Sequence, residues 1–478
     1  MNNPRLLVRL AAACALAPLA GAAQPDAPAI TIDGVCDEWP ADTPIVADAD
    51  EIHITFENHD PAQTIQSADF TTRIRIDADA DATTGHRLGR DALKGNDALG
   101  ADLIIELSPP RESGDDSGDD PIGSGTRVRA FDAEARATDI GHADAGFFFL
   151  PTHSAPRYEM RLSRHATHVH ALRDPGPIRV AIEAVDGRGR VLKRTVHAHD
   201  LPMCAHDEHD ATIPPRPDGA LRVMAANVLF SSPLDAPDPF RRILAATDPD
   251  VVLYQEWFDT PRRDIQAWLD THAARGWRLI GGADAGGLAI ATRRPILETW
   301  ALGAERGWGR GGLAALIDHD GAPVLAVSVH LKCCGGADSP EERRRLEQAT
   351  GINRLIRGIL DQHPEARVVI GGDYNLVGTR APLERLARGL SAEGDLTPAH
   401  TLRLADGHAV TWTNPQSSFS PGRLDWMLYD AASWSAPHAF TLDTRLLAPR
   451  ARRDAGLRAG DSAASDHLPL VVDLAPRD

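Results

Sequence analysis

Carboxylates, a carboxamide and histidines of the kind that hold a divalent cation recur along the second half of this chain, each beside a short apolar run. Asn227 closes Leu221-Arg222-Val223-Met224-Ala225-Ala226, and Glu256 follows Val251-Val252-Leu253-Tyr254-Gln255. His330 follows Val327-Ser328-Val329, Asp373 and Asn375 come just past Ile370-Gly371-Gly372, and further on stand Asp425 and the adjacent pair Asp466-His467. Magnesium takes hard oxygen ligands and keeps several waters, so one or two carboxylates and an amide oxygen suffice. Glu256 is the best first ligand, and Asn227 supplies a neutral oxygen or a hydrogen bond that orients Glu256. Asp373 and Asn375, two residues apart, point the same way on extended backbone. Imidazoles titrate near neutral pH, and one beside a buried aspartate is held in one tautomer with its pKa raised. Any one of these positions alone is uninformative, since a glutamate after a strand is ordinarily a surface residue. Six in sequence, each next to a strand-like run, form the signal.

The elements that must position them alternate between strand and helix. Leu221–Met224, a helix over Asp238–Ala246, the run Val251–Tyr254 and a helix over Arg262–Ala274 follow one another, and Pro340–Leu360 is a helix with Ser339 as N-cap and Glu342 three residues on. That helix delivers the chain to the buried strand Arg367–Asp373, as a layered α/β fold requires. Upstream the grammar differs. Short alternating runs such as Thr72–Ile76, Asp102–Leu107 and Ile178–Glu183, separated by turn residues, predict an antiparallel β-sandwich over residues 24–204. Residues 205–219, rich in charge and proline, read as a stiffened linker, and residues 220–478 as the second domain. The tract Glu112–Asp120 reads as a disordered loop. His206 and His209 fit solvated linker positions better than a metal site.

Asp77, Asp79 and Asp81 alternate and can bring hard oxygens onto a bend, which suits calcium. No EF-hand spacing accompanies them, and a solvated acidic turn is the equal alternative. Trp39 could stack on a sugar or belong to the core.

The length, 478 residues, exceeds one average domain. The formal charge of −18 argues against a nucleic-acid partner until it is divided. Residues 1–219 carry 36 acidic and 21 basic side chains, whereas residues 220–478 carry 32 and 29. A near-neutral second half can still set Arg343, Arg344, Arg345, Arg450, Arg452 and Arg453 against phosphates, unless they are a solvated face. Arg5 and Arg9, the apolar run Leu10–Leu19 and Ala20-Gly21-Ala22 read as a cleaved export signal over residues 1–23, predicting a secreted or periplasmic protein. No run reaches the ~20 apolar residues of a membrane-spanning helix. After cleavage four cysteines remain, and in an oxidising compartment an even set favours disulfides. A Cys36–Cys204 bridge would close a long loop and contribute about 2–5 kcal/mol, while Cys333-Cys334 could be a vicinal disulfide or two thiols.

Met224-Ala225-Ala226-Asn227, Tyr254-Gln255-Glu256-Trp257, Ser328-Val329-His330-Leu331, Gly371-Gly372-Asp373-Tyr374-Asn375, Arg423-Leu424-Asp425-Trp426-Met427 and Ser465-Asp466-His467-Leu468-Pro469 together resemble the endonuclease/exonuclease/phosphatase superfamily over residues 220–475. The resemblance implies a four-layer α/β sandwich with two mixed sheets and a metal-dependent phosphoric ester hydrolase using Mg2+ or Mn2+. It implies metal ligands at Asn227, Glu256 and Asp466. Asp373 would align or deprotonate the attacking water, Asn375 would hold that water or the phosphate, and His467, partnered by Asp425, would contact the scissile phosphate. His330 would serve the leaving oxygen as proton donor or clamp. Leu229 stands where the abasic-site enzymes place an acidic group, and no clear acidic partner for His330 precedes it; Arg310 is the nearest candidate phosphate contact. Ile30-Thr31-Ile32-Asp33-Gly34-Val35-Cys36-Asp37-Glu38-Trp39, with the aspartates of 77–81, resembles carbohydrate-binding family nine jelly rolls, which implies a polysaccharide or surface as partner. The first expectation is therefore an exported endonuclease acting on nucleic-acid phosphodiesters. The second is a phospholipid phosphodiesterase or small-molecule phosphatase, and the third a non-catalytic carbohydrate- or surface-binding protein.

Overall fold

The computed structural model describes residues 30–87, 99–111, 121–165, 168–205, 211–273, 276–303 and 311–477. The expected export segment, the Glu112–Asp120 tract, His206, His209 and Arg310 lie outside the described residues.

The alternating runs of the first half pair antiparallel throughout. One sheet has the spatial order Ile45–Ala47, Glu51–Glu57, Arg157–Ser163, Phe148–Leu150. The other runs Val191–Leu201, Gly176–Val185, Thr71–Asp77, Leu103–Leu107, Thr126–Phe131, Ala137–Ile140. Because side chains alternate along a strand, Ile74, Ile76, Leu103, Ile105 and Val180 of the second sheet all face Ile52, Ile54, Tyr158 and Met160 of the first in one buried cluster. The opposite face of the second sheet carries a row of ion pairs across five strands: Arg194 to Glu183, Glu183 to Arg73, Arg73 to Glu106 and Glu106 to Arg127. Trp39 is buried and its indole N–H donates to Glu159, so it belongs to the core and offers no face to a sugar.

All four cysteines among the described residues are free thiols, which corrects the expected Cys36–Cys204 bridge. Cys36 packs beside the apolar cluster of Ile30, Ile32 and Trp39, while Cys204 stands 3.9 Å from the His165 ring. Cys333 receives a contact from Lys332 at 3.6 Å.

In the second half, one mixed sheet has the order Arg278–Gly282, Leu288–Thr292, Val251–Gln255, Leu221–Asn227, Leu470–Pro476, Trp434–Thr441, Leu402–Arg403. A second mixed sheet runs Ile296–Leu302, Gly312–His319, Ala322–His330, Arg367–Asp373, Asp425–Tyr429, Thr397–Pro398. Parallel neighbours need a crossover, and helices supply it. Pro237–Thr247 links the parallel pair Leu221–Asn227 and Val251–Gln255, and Pro340–Leu360 links Ala322–His330 to Arg367–Asp373. Val223, Ala225 and Leu253 of one sheet meet Ala315, Ala326 and Val369 of the other in a central core. Outer clusters join each sheet to its helices, giving the order helix, sheet, sheet, helix. No helix among the described residues is long and apolar enough to cross a membrane.

The Ser339 cap forms, its hydroxyl accepting from Glu342 N at 3.1 Å. The Glu342 side chain does not complete a capping box. It is buried against Arg345, three residues on, and against Thr379 instead, where a charge-assisted pair and the Thr379 amide take both of its oxygens.

Candidate active site

Strand register assembles the centre. His330, Asp373 and Asp425 end or begin three adjacent strands and are directly paired, His330 with Asp373 and Asp373 with Asp425. Asn227 pairs with Gln255 in the other sheet, which places Glu256 one residue beyond the edge of its strand. The two sheets are pinned beneath the site by Gln255, whose Nε2 donates to the Ser328 hydroxyl at 2.9 Å, and Ser328 in turn donates to Tyr254 O at 3.0 Å. Gly372 marks how closely the layers approach. Its φ is +143°, and a Cβ there would lie 2.1 Å from Val329 O and 2.9 Å from Gln255 Nε2.

After Asn227 the chain turns through three successive left-handed non-glycine residues, Leu229, Phe230 and Ser231, with φ of 46°, 50° and 63°. Each costs about 1–2 kcal/mol relative to the right-handed form. The turn brings Leu229 N to Asn227 Oδ1 at 3.0 Å and Phe230 N to Glu256 Oε2 at 3.2 Å. Asn227 Nδ2 donates to Glu256 Oε1 at 3.1 Å and to Asp373 Oδ2 at 3.4 Å. Of the two expected roles, Asn227 therefore fills that of orienting group: its oxygen is taken by Leu229 and its amide faces both carboxylates.

Asp373 is 2% exposed, with Oδ1 accepting from Asn375 N and Oδ2 from Asn375 Nδ2, each at 2.9 Å. The second Asn375 amide contact goes to Leu331 O. Asn375 thus holds Asp373 at the place where it is expected to meet the water or phosphate. His330 Nε2 lies 3.4 Å from Asp373 Oδ2 and 3.9 Å from Glu256 Oε1. These two carboxylates are the acidic neighbours of His330 that the sequence did not reveal. His467 Nδ1 and Asp425 Oδ2 are 2.8 Å apart, and His467 Nε2 lies 3.8 Å from Asp373 Oδ2. Ser465, the small residue before the Asp-His pair, donates to Asn227 O and accepts from His467 N, which docks this segment across the sheet.

The electrostatics follow from crowding three carboxylates away from water. Burial pushes the Asp373 carboxyl up to about 7; Asp425 and Glu256 add to the rise, while His467 and the Asn375 amide oppose it. Burial would lower the His467 imidazole, but the carboxylates of Asp425, Asp373 and Asp466 outweigh it and raise it to about 10.

Glu256, His330 and Asp373 bring one ligand atom each to within 4.8 Å of one another, as do Asp373, Asp425 and His467. Hard carboxylate oxygens facing the cavity suit a hard divalent cation, whose charge would offset the burial that otherwise disfavours the Asp373 carboxylate. Glu256 and Asp373 are the side chains that would hold it. Asp466, expected among the ligands, joins neither cluster. Its Oδ2 accepts the Trp412 indole N–H at 3.0 Å, and its Oδ1 is buried without a hydrogen-bond partner.

Other expectations separate cleanly. Arg345 is fully buried, bonding to Glu342 and to the carbonyls of Lys332, Cys334 and Gly335, so it props the loop that follows His330. Arg452 donates to Thr444, Arg445 and Leu447 carbonyls, and Arg344 and Arg450 pair with neighbouring acids on the surface. None of these, nor Arg343 or Arg453, lines the cavity at the site. In the first half, Asp77 and Asp79 cluster with Asp102 rather than with Asp81, whose Oδ1 is occupied by the Thr83 amide and hydroxyl. Trp412, Phe230 and Thr411 were missed. Thr411 accepts from both Leu424 N and Asp425 N, but an isolated threonine or aromatic residue in a loop gives no periodic signal.

Paired sheets ending in a cluster of carboxylates and histidines define a metal-dependent phosphoric ester hydrolase. The chain belongs to the Endonuclease/Exonuclease/phosphatase family, whose profile matches residues 224–467. Among solved structures it is similar to the human Nocturnin catalytic domain with bound sulfate, at 18% identity over 55% of this chain and 97% of that one, TM-score 0.39. It is similar to beta toxin from Staphylococcus aureus with bound magnesium ions, at 19% identity over 54% and 99%, TM-score 0.37. It is also similar to the 3' phosphatase NExo from Neisseria bound to a product DNA hairpin, at 16% identity over 53% and 99%, TM-score 0.38. None of the curated proteins matches the chain.

Proposed function

We propose that the protein hydrolyses phosphodiesters by attack of water at the centre built from Glu256, His330, Asp373, Asp425 and His467. The observation that carries this reading is the hydrogen-bonded row Asn375–Asp373 beside His330 and the Asp425–His467 pair, all at one sheet edge. A bound divalent ion supplies polarisation of the phosphoryl oxygens and neutralises developing charge. Asp373, steadied by Asn227 and Asn375, aligns the attacking water beside the ion, whose charge would lower that water's pKa so that its proton passes to solvent. His467 is held by Asp425 as an imidazolium whose Nε2–H faces the site and donates to a phosphoryl oxygen. His330 offers its Nε2 side to the leaving oxygen.

Export is part of this reading, supported by Arg5, Arg9 and the apolar run that follows them; N-terminal sequencing of protein recovered outside the cytoplasm tests it. The enzymatic reading is tested by hydrolysis of bis(p-nitrophenyl) phosphate, p-nitrophenyl phosphate and supercoiled plasmid with magnesium or manganese, with and without EDTA. Turnover of at least one ester that EDTA abolishes is expected. Turnover indifferent to EDTA overturns it.

A further inference from the structure

We propose that the first half of the chain is one wall of the catalytic cavity and selects its substrate: an ester carrying one phosphate and an apolar or aromatic group, in place of a polyanionic strand. This rests on the hydrolytic reading above and adds the substrate class and the residues that set it.

The cavity over the site holds about 420 Å3. One side is the centre itself, with Glu256, His330, Asp373 and His467. The other is Thr64, Gln66, Ser67, Ser124 and Thr152, all from the first half. This apposition is built from hydrogen bonds to the very loops that carry site residues. The Thr64 hydroxyl donates to Gly378 O at 3.1 Å and Ser154 N donates to the same carbonyl at 2.7 Å, three residues beyond Asn375. The Thr152 hydroxyl donates to Arg423 O at 3.0 Å, two residues before Asp425. Gln66 Oε1 accepts from Ser420 N at 2.9 Å, and Thr126 N donates to Ser418 O at 2.6 Å. A Cβ on Gly422 would lie 2.1 Å from Thr152 Cγ2, so the fit leaves no slack.

A second contact anchors the wall behind the cavity. Glu51 receives His53 at 3.0 Å, His408 at 2.9 Å and Arg161 Nε at 2.7 Å. His408 Nδ1 accepts from Ile32 N at 3.0 Å, so its proton sits on Nε2 and is directed to Glu51. That tautomer has no lone pair to offer an ion from Nε2, which makes this trio a joint between the halves rather than a metal site.

The wall's chemistry decides what fits. Duplex DNA presents one negative charge per ~1.7 Å of axis and is held by lysine and arginine at successive phosphates. Among the described residues lining the cavity there is neither lysine nor arginine; its charged groups are those of the centre. At the rim stand two large apolar side chains, Phe230, 70% exposed, and Phe419, 41% exposed. A volume of this size encloses a small organic group, and exposed aromatic rings favour a flat or apolar one. The same chemistry could arrive as a free ester or as a lipid head group.

The test uses the full chain with magnesium and three substrates: bis(p-nitrophenyl) phosphate, phosphatidylcholine vesicles and supercoiled plasmid. Ser67→Trp and Ser124→Trp fill the cavity from exposed positions of the wall, with Thr138→Trp, outside the cavity lining, as control. Wild-type protein should turn over the free ester or the vesicles faster than it nicks plasmid, and whichever is faster identifies the source. Both wall variants should raise KM for the preferred ester by about tenfold, more than they change kcat, and should weaken phenyl phosphate binding measured by calorimetry with magnesium. Plasmid cleaved in preference to both esters, or wall variants with wild-type KM and phenyl phosphate affinity, overturns the inference. Failure of the hydrolytic reading shows differently, as turnover that survives EDTA while the wall variants still weaken phenyl phosphate.

Discussion

Asp425→Asn isolates the contribution of one buried charge. In the wild-type protein the Asp425 carboxylate lies 2.8 Å from His467 Nδ1 at 2% exposure, and with Asp373 and Asp466 it raises the imidazole to about 10 against the effect of burial. An amide preserves the shape but removes the charge, so burial regains control and the His467 pKa drops well below its wild-type value. A histidine whose folded pKa is raised contributes stability that is fully present below the unfolded value of ~6.5 and lost as pH rises through about 10. The variant loses that contribution. Its destabilisation is therefore largest near pH 6, on the order of 3 kcal/mol, as for a buried pair broken on one side, and shrinks toward pH 9. Catalysis suffers through the same proton: with His467 neutral at pH 8, kcat/KM falls by about 10²–10⁴. Urea unfolding at pH 6 and pH 9, together with a pH–rate profile on bis(p-nitrophenyl) phosphate, measures both effects. Equal destabilisation at the two pH values, or an unchanged alkaline limb, refutes the assignment of His467 as a cation held by Asp425.

Other expectations follow from the same geometry. Asp373 titrates at about 7, and a metal must displace its proton below that pH; magnesium binding should release protons at pH 6 and almost none at pH 8.5, read by calorimetry in buffers of different ionisation heat. Arg345→Ala strips a fully buried cation from Glu342 and three loop carbonyls and should cost about 3–5 kcal/mol in denaturant unfolding, with activity falling as the loop after His330 loosens. Gly372→Ala forces a methyl group into Val329 O at a backbone angle only glycine favours, and should cost more than about 2 kcal/mol by thermal unfolding. Glu51 is held far below the usual carboxylate range by His408, His53 and Arg161, although burial pushes the other way. The stability it gives is present above pH ~4.5 and lost as pH falls, so Glu51→Gln should flatten the acid side of the pH–stability curve.

The sequence made the centre legible because its residues sit at strand ends. Period and position are readable there: apolar runs fix the strands, and the next polar residue falls at the sheet edge. Register then does what spacing cannot, since the side-by-side pairing of His330, Asp373 and Asp425 depends on which strands neighbour one another. That is why His330 lacked an acidic partner in the sequence, although one lies in the adjacent strand. Roles for amides were harder to foresee. Asn227 and Asn375 can donate or accept, and only the positions of Leu229 N and Leu331 O decide which. Arg345 illustrates a different limit: on a helix with two neighbouring arginines its charge pattern suggests solvent, yet the loop after His330 folds over it and offers three carbonyls. At the acidic bend, Asp102, just before the paired strand Leu103–Leu107, lies with Asp77 and Asp79, while Asp81 turns to Thr83, a juxtaposition that spacing alone does not show. The contact between the halves had no periodic sequence signature, being made by scattered serines, threonines, Gln66, the Glu51–His408 pair and backbone.

The most direct test of the central claim is the magnesium dependence of bis(p-nitrophenyl) phosphate hydrolysis by the wild-type protein and by Glu256→Gln. A carboxylate that holds the ion predicts saturable activation by magnesium in the wild type. In the variant, half-activation should shift to at least tenfold higher magnesium, as about 1.4 kcal/mol or more of lost binding requires, together with a lower maximal rate. Identical activation curves for the two proteins would contradict it.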